Sequence, residues 1–385
     1  MNDLTETTRT ASPNAARDLI YLASCAVNNE IPDKQKCDAM DLDAVFDFAR
    51  YHIMTSIAAH ALEKVTELPH CFDQAQKKAI RKLSLFDIER IKIYAALEQN
   101  GVWYLPLKGI ALKSCYPKSS MREMSDNDIL CDSGKMDVVK TVMEGLGYSC
   151  EVFEEFHHDV YSKPPTLEFE MHHTLFTDDS LPEFSEYFSD ISSKLINDSD
   201  KGFARHLSSE DFYIYILCHM YKHYCFAGTG LRSLLDIYLY NRKYRDEMDE
   251  DYLSRELKKL GLEEFEEKVR NLSEKVYTLR ELNGEEQREL EYFEKSGANG
   301  TAENLQYNSV SMALGGDDSS NSKRKYILRR VFISGDELKR RHPAVYKHKV
   351  LYPLLFIYRP IKAAAHPKRI IDEVKHVKHF KIKEK

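Results

Sequence analysis

Nowhere in the 385 residues does an apolar run approach the ~20 needed to cross a bilayer as a helix. The opening Met1-Asn2-Asp3-Leu4-Thr5-Glu6 has neither the basic patch nor the apolar stretch of a secretory signal. A cytoplasmic protein is therefore expected. The eight cysteines are scattered and none forms a Cys-x-x-Cys pair. A disulfide framework and a thiolate zinc site are both excluded as expectations, and Cys131 reads as a small buried hydrophobe rather than a nucleophile. His219 and His223 stand one helical turn apart, but Met220 occupies the place where a zinc protease carries its glutamate. No internal repeat is present.

What remains is the composition of a globular chain, 43% hydrophobic and 30% charged, long enough for two or three compact units. Its most informative stretch is Arg122-Glu-Met-Ser-Asp126-Asn-Asp128-Ile-Leu130. In a strand, side chains alternate faces, so Asp126 and Asp128 point the same way, about 7 Å apart. Like charges that close repel unless a cation sits between them. A hard divalent ion is the natural occupant, and Mg²⁺ favours one or two carboxylates plus substrate phosphates. The isolated Asp-x-Asp is also a common polar turn; its flanks decide its weight.

Upstream, residues 102–107 read as a strand that runs through Lys108-Gly109 into a helix stopped by Pro117. Such a turn aims backbone N–H groups at an anion. Lys108 adds positive charge, and Gly109 lets a phosphate approach the backbone. Downstream, Leu167-Glu-Phe-Glu-Met-His172 alternates, with Glu168, Glu170 and His172 on one face and Leu167, Phe169 and Met171 on the other. Glu170 would complete a three-carboxylate site, with His172 beside it. In the adjacent pairs His157-His158 and His172-His173, strand alternation lets only one ring of each pair face a common site. Arg122 precedes the aspartates by four positions and reads either as a phosphate contact or as a partner of Asp126. Arg232 and Asp236, one helical turn apart, read as a simple ion pair, with Arg232 a weaker binding candidate.

Around this core the patterning is helical. Helices are expected over Ala15–Asn28, Asp41–Val65 and Phe72–Gln99, then over Asp211–Phe226, Leu231–Tyr244 and Glu264–Arg280. Between them, strands at 102–107, 125–131, 148–153 and 166–172 alternate with helices near 109–116 and 134–146. The expected fold class is α+β: a small mixed β-sheet flanked by N-terminal and C-terminal helical regions. The expected divisions are 1–100 helical, 101–200 α/β core, 201–295 helical, 296–322 a Gly-, Ser- and Asn-rich linker, and 323–385 a basic tail, with residues 1–12 a mobile leader.

The stretch Leu107-Lys108-Gly109, Arg122-x-x-x-Asp126-x-Asp128-Ile-Leu and Phe169-Glu170-Met171-His172 resembles the nucleotidyltransferase family of the DNA polymerase β-like nucleotidyltransferase superfamily. Leu217-x-His219-x-x-x-His223 and Gly230-Leu-Arg232-Ser-Leu-Leu-Asp236 resemble the helical segment that follows the catalytic fold in that family, and Tyr51–Ala58 its N-terminal helical segment. The wider superfamily usually has Gly-Ser where this chain has Lys108-Gly109, and an aspartate where it has Glu170. The resemblance implies transfer of a nucleoside monophosphate from a nucleoside triphosphate, ATP being the expected donor, to a hydroxyl of a small molecule, an RNA or a protein. It implies a metal site of Asp126, Asp128 and Glu170 holding Mg²⁺ or Mn²⁺, with Glu170 helping to deprotonate or position the attacking hydroxyl. Lys108, Gly109, Arg122, His172 and Arg232 then serve as nucleotide-binding residues, and the helix carrying His219 and His223 lies beside the nucleotide. A second reading keeps the scaffold as a catalytically inactive nucleotide-binding or regulatory protein.

Charge is unevenly spread. Residues 323–385 carry 19 Lys and Arg against 5 Asp and Glu, a balance of +14, which leaves 36 basic against 57 acidic side chains in the rest of the chain. A polyanionic partner is the expectation for this tail: nucleic acid, an anionic membrane surface or the chain's own acidic body. Packing on the body is preferred, because Pro353 and Pro360 interrupt any long amphipathic helix.

Overall fold

A computed structural model of the chain describes residues 13–153, 157–177, 181–199, 202–305 and 307–308. The leader, the basic tail and most of the expected linker lie outside the described residues. The chain divides into two units, Met1–Thr301 and Ala302–Lys385; the described residues of the second, 302–305 and 307–308, are helical.

The first unit opens with helices α1 (Pro13–Val27), α2 (Lys34–Asp38), α3 (Leu42–Tyr51), α4 (Thr55–Leu62) and the 30-residue α5 (His70–Gln99). The single helix expected over Asp41–Val65 is broken in two. Ile53 takes a φ of 53°, and the Ile53 and Met54 N–H groups turn back to the Arg50 and Ala49 carbonyls. Such a left-handed residue is normally glycine or asparagine, so neither glycine nor proline announces the stop.

Five strands follow: β1 (Tyr104–Pro106), β2 (Asn127–Cys131), β3 (Ser149–Val152), β4 (His158–Lys163) and β5 (Leu167–His172), in the sheet order β1-β2-β5-β4-β3. Helix α6 (Lys108–Leu112) joins β1 to β2, and α7 (Met136–Gly145) joins β2 to β3. β2 and β5 run parallel, while the other pairs are antiparallel. The expected mixed sheet therefore forms, with β4 an additional strand. After β5 come α8 (Pro182–Tyr187), a two-residue ladder of β6 (Ile196–Asn197) with β7 (Arg205–His206), and then α9 (Ser209–Cys225), α10 (Leu231–Tyr244), α11 (Glu250–Leu260), α12 (Glu263–Tyr277) and α13 (Gly284–Ser296). The fold is α+β.

Strand alternation decides which face carries chemistry. Ile129, Phe169 and Met171 point to one side, where they bury against Phe86 and Ile93 of α5 and Val139 and Met143 of α7. Phe169 meets the rings of Phe86 and Tyr148 edge-on, at 5.8 and 5.5 Å. Burial of an aromatic of this size contributes about 1.5–3 kcal/mol, so the sheet is clamped to α5 and α7 by its apolar face. The opposite face is left to Asp128, Glu168, Glu170 and His172.

A second core joins α1, α3 and α4 to α9, α10 and α12 through Leu19, Phe48, Leu62, Leu217, Leu234 and Tyr277. Ser24 Oγ donates to the Tyr277 carbonyl (2.8 Å), and Tyr277 Oη donates to the Leu231 carbonyl (2.7 Å). Leu105, Leu107 and Leu130 belong to this same cluster. The helical regions on both sides of the sheet in sequence thus pack as one body over its polar face.

Candidate active site

β2 and β5 pair in parallel with Asp128 opposite Glu170, and β4 pairs with β5 so that His158 lies opposite His172. The register stacks acids and imidazoles on one face. Asp126 sits just before β2 and is half-buried; Asp128, within β2, is buried. Two overlapping groups result: one carboxylate oxygen each of Asp126, Glu168 and Glu170 lies within 4.8 Å of the others, and so do one ligand atom each of Asp128, Glu170 and His172. Glu170 belongs to both. The three carboxylates named from sequence therefore share one face, linked through Glu170, and Glu168 joins them.

The electrostatics of this group are uneven. Burial, then the carboxylates of Asp128 and Glu170, push Asp126 up to about 6. Asp128 behaves oppositely. Its burial alone would raise it, but the Lys108 ammonium and the hydrogen bond with His172 hold it well below the usual carboxylate range. Lys108 Nζ donates to Asp128 Oδ1 at 3.1 Å, and His172 Nε2 lies 3.0 Å from the same oxygen and 3.4 Å from Glu170 Oε2. Burial opposes charge on His172 too, yet its bonds to Asp128 and Glu170 raise it above the ordinary imidazole value.

Lys108 takes a φ of 36°, a conformation that costs a side-chain-bearing residue roughly 1–2 kcal/mol. The strained backbone accompanies an ammonium directed at Asp128. Gly109 follows with no room to spare: an added Cβ would lie 2.6 Å from Arg122 Nη1. The space beside Gly109, expected to admit a phosphate, is filled by that guanidinium.

Arg122 does not pair with Asp126. Its Nε and Nη2 donate to Oδ1 and Oδ2 of Asp236, both at 2.8 Å, and Tyr116 Oη donates to Asp236 Oδ1 at 2.7 Å. The Arg122 and Asp236 side chains are 8% and 9% exposed, which makes this a buried bidentate pair. The Arg232–Asp236 pairing suggested by helical spacing gives way to it, because a long-range guanidinium fills both carboxylate oxygens. Arg232 Nη1 instead donates to the Glu123 carbonyl at 3.2 Å and lies in electrostatic reach of Asp126.

Helix α9 faces the group from the other side. His219 and His223 hydrogen-bond through their Nε2 atoms at 3.2 Å. Burial, followed by the Lys108 charge, pushes His223 down to about 4 and His219 well below its ordinary value. Lys222, on the same helix face, is lowered by burial and then by Lys108, while Glu170 opposes the shift. On the opposite flank, Lys82 of α5 donates to the Ser125 carbonyl at 2.6 Å and feels the charges of Asp126 and Glu168. A cleft of about 390 Å³, lined by Lys82, Ser125, Lys163 and Thr166 among others, opens there with Glu168 as its one acidic lining residue.

Glu168, Lys82, Lys222 and His158 also stand beside the acids; Glu168 and the His157-His158 pair were visible in the strand alternation without being named as ligands, and Lys82 and Lys222 were passed over. Glu168 carried a signal, since it shares the face of Glu170; Lys222 carried a weaker one, three residues after His219 on a helix. The rule that only one of His157 and His158 can face the site also fails, because His157 precedes the first residue of β4 and is free of its alternation. Its ring lies 4.4 Å from that of His158 and 5.4 Å from that of His172. Burial and these two neighbours push His157 down to about 3.

The mixed sheet thus presents clustered carboxylates beside the Lys108 turn, with helices of the same unit packed over that face. The family described as "Uncharacterised nucleotidyltransferase" matches residues 38–278, and the chain belongs to it. No curated protein and no solved structure matches the chain. Among the described residues, no helix is long and apolar enough to cross a membrane.

Proposed function

We propose that the protein is a divalent-metal-dependent nucleotidyltransferase that moves a nucleoside monophosphate from a nucleoside triphosphate, ATP by preference, to a hydroxyl acceptor. The observation that carries this reading is the convergence of Asp126, Glu168 and Glu170, and of Asp128 through Glu170, on one sheet face beside Lys108. Membership of a nucleotidyltransferase family supports it.

The donor set fits a hard cation. Asp126, Glu168 and Glu170 offer only oxygens, and burial together with the carboxylates of Asp128 and Glu170 pushes Asp126 up to about 6, a penalty on its charge that a bound cation relieves. Asp126, Asp128 and Glu170 would hold Mg²⁺ or Mn²⁺, with Glu168 in reach. Bound there, the metal neutralises phosphate charge and aligns attacking and leaving oxygens.

The chain's own groups do the rest. Lys108, with Lys222 and the histidine pair of α9, supplies positive charge and N–H donors against the triphosphate. Glu170, hydrogen-bonded to His172, takes the proton of the acceptor hydroxyl. That oxygen attacks the α-phosphorus, the bond to the bridging oxygen of the β-phosphate breaks, and pyrophosphate leaves. Arg122, closed onto Asp236, fixes the Gly109 turn instead of touching phosphate.

A non-catalytic nucleotide-binding protein is the second reading, and one observation favours it: Asp128 Oδ1 is already engaged by both Lys108 and His172. Incubation of the purified chain with each labelled triphosphate, Mg²⁺ and cell extract separates the two. Label transferred to a metabolite, RNA or protein, and lost in Asp126→Ala, is the expected result. No transfer and no pyrophosphate release with any nucleotide would leave the non-catalytic reading.

A further inference from the structure

We propose that His157, His158 and His172 form a second metal seat, which takes a borderline transition ion such as Zn²⁺ or Co²⁺ through imidazole nitrogens. It goes beyond nucleotidyl transfer and does not depend on it. The β4–β5 register sets His158 directly opposite His172, with ring centroids 4.9 Å apart. His157, at the mouth of β4, lays its ring against both. One ring nitrogen from each of the three lies within 4.8 Å of the others.

Proximity alone would also describe stacked core histidines. The hydrogen bonding argues further. His172 is 1% exposed, and its Nε2 faces Asp128 and Glu170. His158 directs its own Nε2 toward Glu170 Oε2, at 3.7 Å. On both rings the other nitrogen, Nδ1, is buried without a hydrogen-bond partner among the described residues. His172, held by carboxylates at Nε2 and unpartnered at Nδ1, has the orientation of a metal-ligating histidine, and His158 presents a second unpartnered Nδ1 beside it. A core histidine would normally satisfy both nitrogens. Three imidazoles suit zinc and its neighbours rather than magnesium, and three protein ligands leave a position open to water or a phosphate oxygen.

The test uses the full chain, stripped with a chelator and titrated with Co²⁺ in millimolar Mg²⁺, followed by visible absorption. One Co²⁺ should bind per chain, give d–d bands and be displaced by Zn²⁺. His157→Ala and His158→Ala should each weaken Co²⁺ binding by about tenfold or more, whereas Glu168→Gln should leave the bands unchanged. Should His158→Ala fail to fold by circular dichroism, His157→Ala, at the edge of the strand, carries the test. Absence of the bands would overturn the proposal, and so would bands that Glu168→Gln abolishes and the histidine variants keep. Nucleotide binding with Mg²⁺, measured on the same variants, reports separately on the transferase reading.

Discussion

Replacing Asp236 with leucine should expose how the Lys108–Gly109 turn is held. Asp236 accepts two hydrogen bonds from Arg122 and one from Tyr116, all between 2.7 and 2.8 Å. The variant would leave a guanidinium, 8% exposed, without its counter-charge. Breaking a buried pair from one side costs about 3–5 kcal/mol, against a total stability of roughly 5–15 kcal/mol. For a body of this size that is a fall in melting temperature of roughly 5–8 °C. Arg122→Met should cost a similar amount, since it leaves a buried carboxylate. The double variant Arg122→Met/Asp236→Leu should recover most of the loss, because neither charge remains to be desolvated. Thermal melts followed by circular dichroism, on the four proteins of this cycle, measure the coupling. Single variants within about 1 kcal/mol of the parent, or a double variant as unstable as the sum of the singles, would refute the argument.

Three further outcomes follow from the same geometry. Gly109→Ala forces a Cβ to within 2.6 Å of the Arg122 guanidinium; it should cost about 1–3 kcal/mol in a thermal melt and weaken triphosphate binding in a filter assay. His52 is fully buried, with Nδ1 accepting from the Leu231 N–H and Nε2 donating to the Glu294 carbonyl, and burial pushes it down to about 3. Its folded value lies below the unfolded 6.5, so the stability it contributes is complete above pH 6.5 and declines as pH falls from there toward 3, by at most about 4–5 kcal/mol; urea titrations at pH 7 and 5 should show the decline, and His52→Gln should make it shallower while leaving the share of His157, His219 and His223, which burial also depresses. Asp126→Asn should lower the transfer rate by several powers of ten, the scale of losing a key electrostatic stabiliser, while changing the melting temperature little, because in the metal-free protein this carboxylate is already crowded by Asp128 and Glu170.

The parts of the fold that local periodicity controls were legible in the sequence. β5 declares itself by strict alternation of Leu167, Phe169 and Met171 with Glu168, Glu170 and His172, and α10 begins and ends at the expected Leu231 and Tyr244. β4 escaped because it lacks an apolar stripe: Asp159, fully buried, sits between His158 and Val160, and a polar residue on the core side erases the period-two signal. The break between α3 and α4 escaped because it depends on the φ of Ile53, a residue with no turn preference of its own. The clustering of the acids was legible, since Asp126, Asp128 and Glu170 lie on strands or at their ends. The partners of its arginines were not. Arg122 and Asp236 are 114 residues apart, and no local pattern announces a pair closed by tertiary packing.

The central claim, that the carboxylates of β2 and β5 hold a divalent metal beneath a triphosphate, is tested most directly by calorimetric titration of the full chain with a non-hydrolysable triphosphate, with and without Mg²⁺. Affinity that rises at least about tenfold with Mg²⁺, and loses that gain in Asp126→Asn and in Glu170→Gln, is the predicted result. Equal affinity with and without Mg²⁺, unchanged by either substitution, would contradict the account.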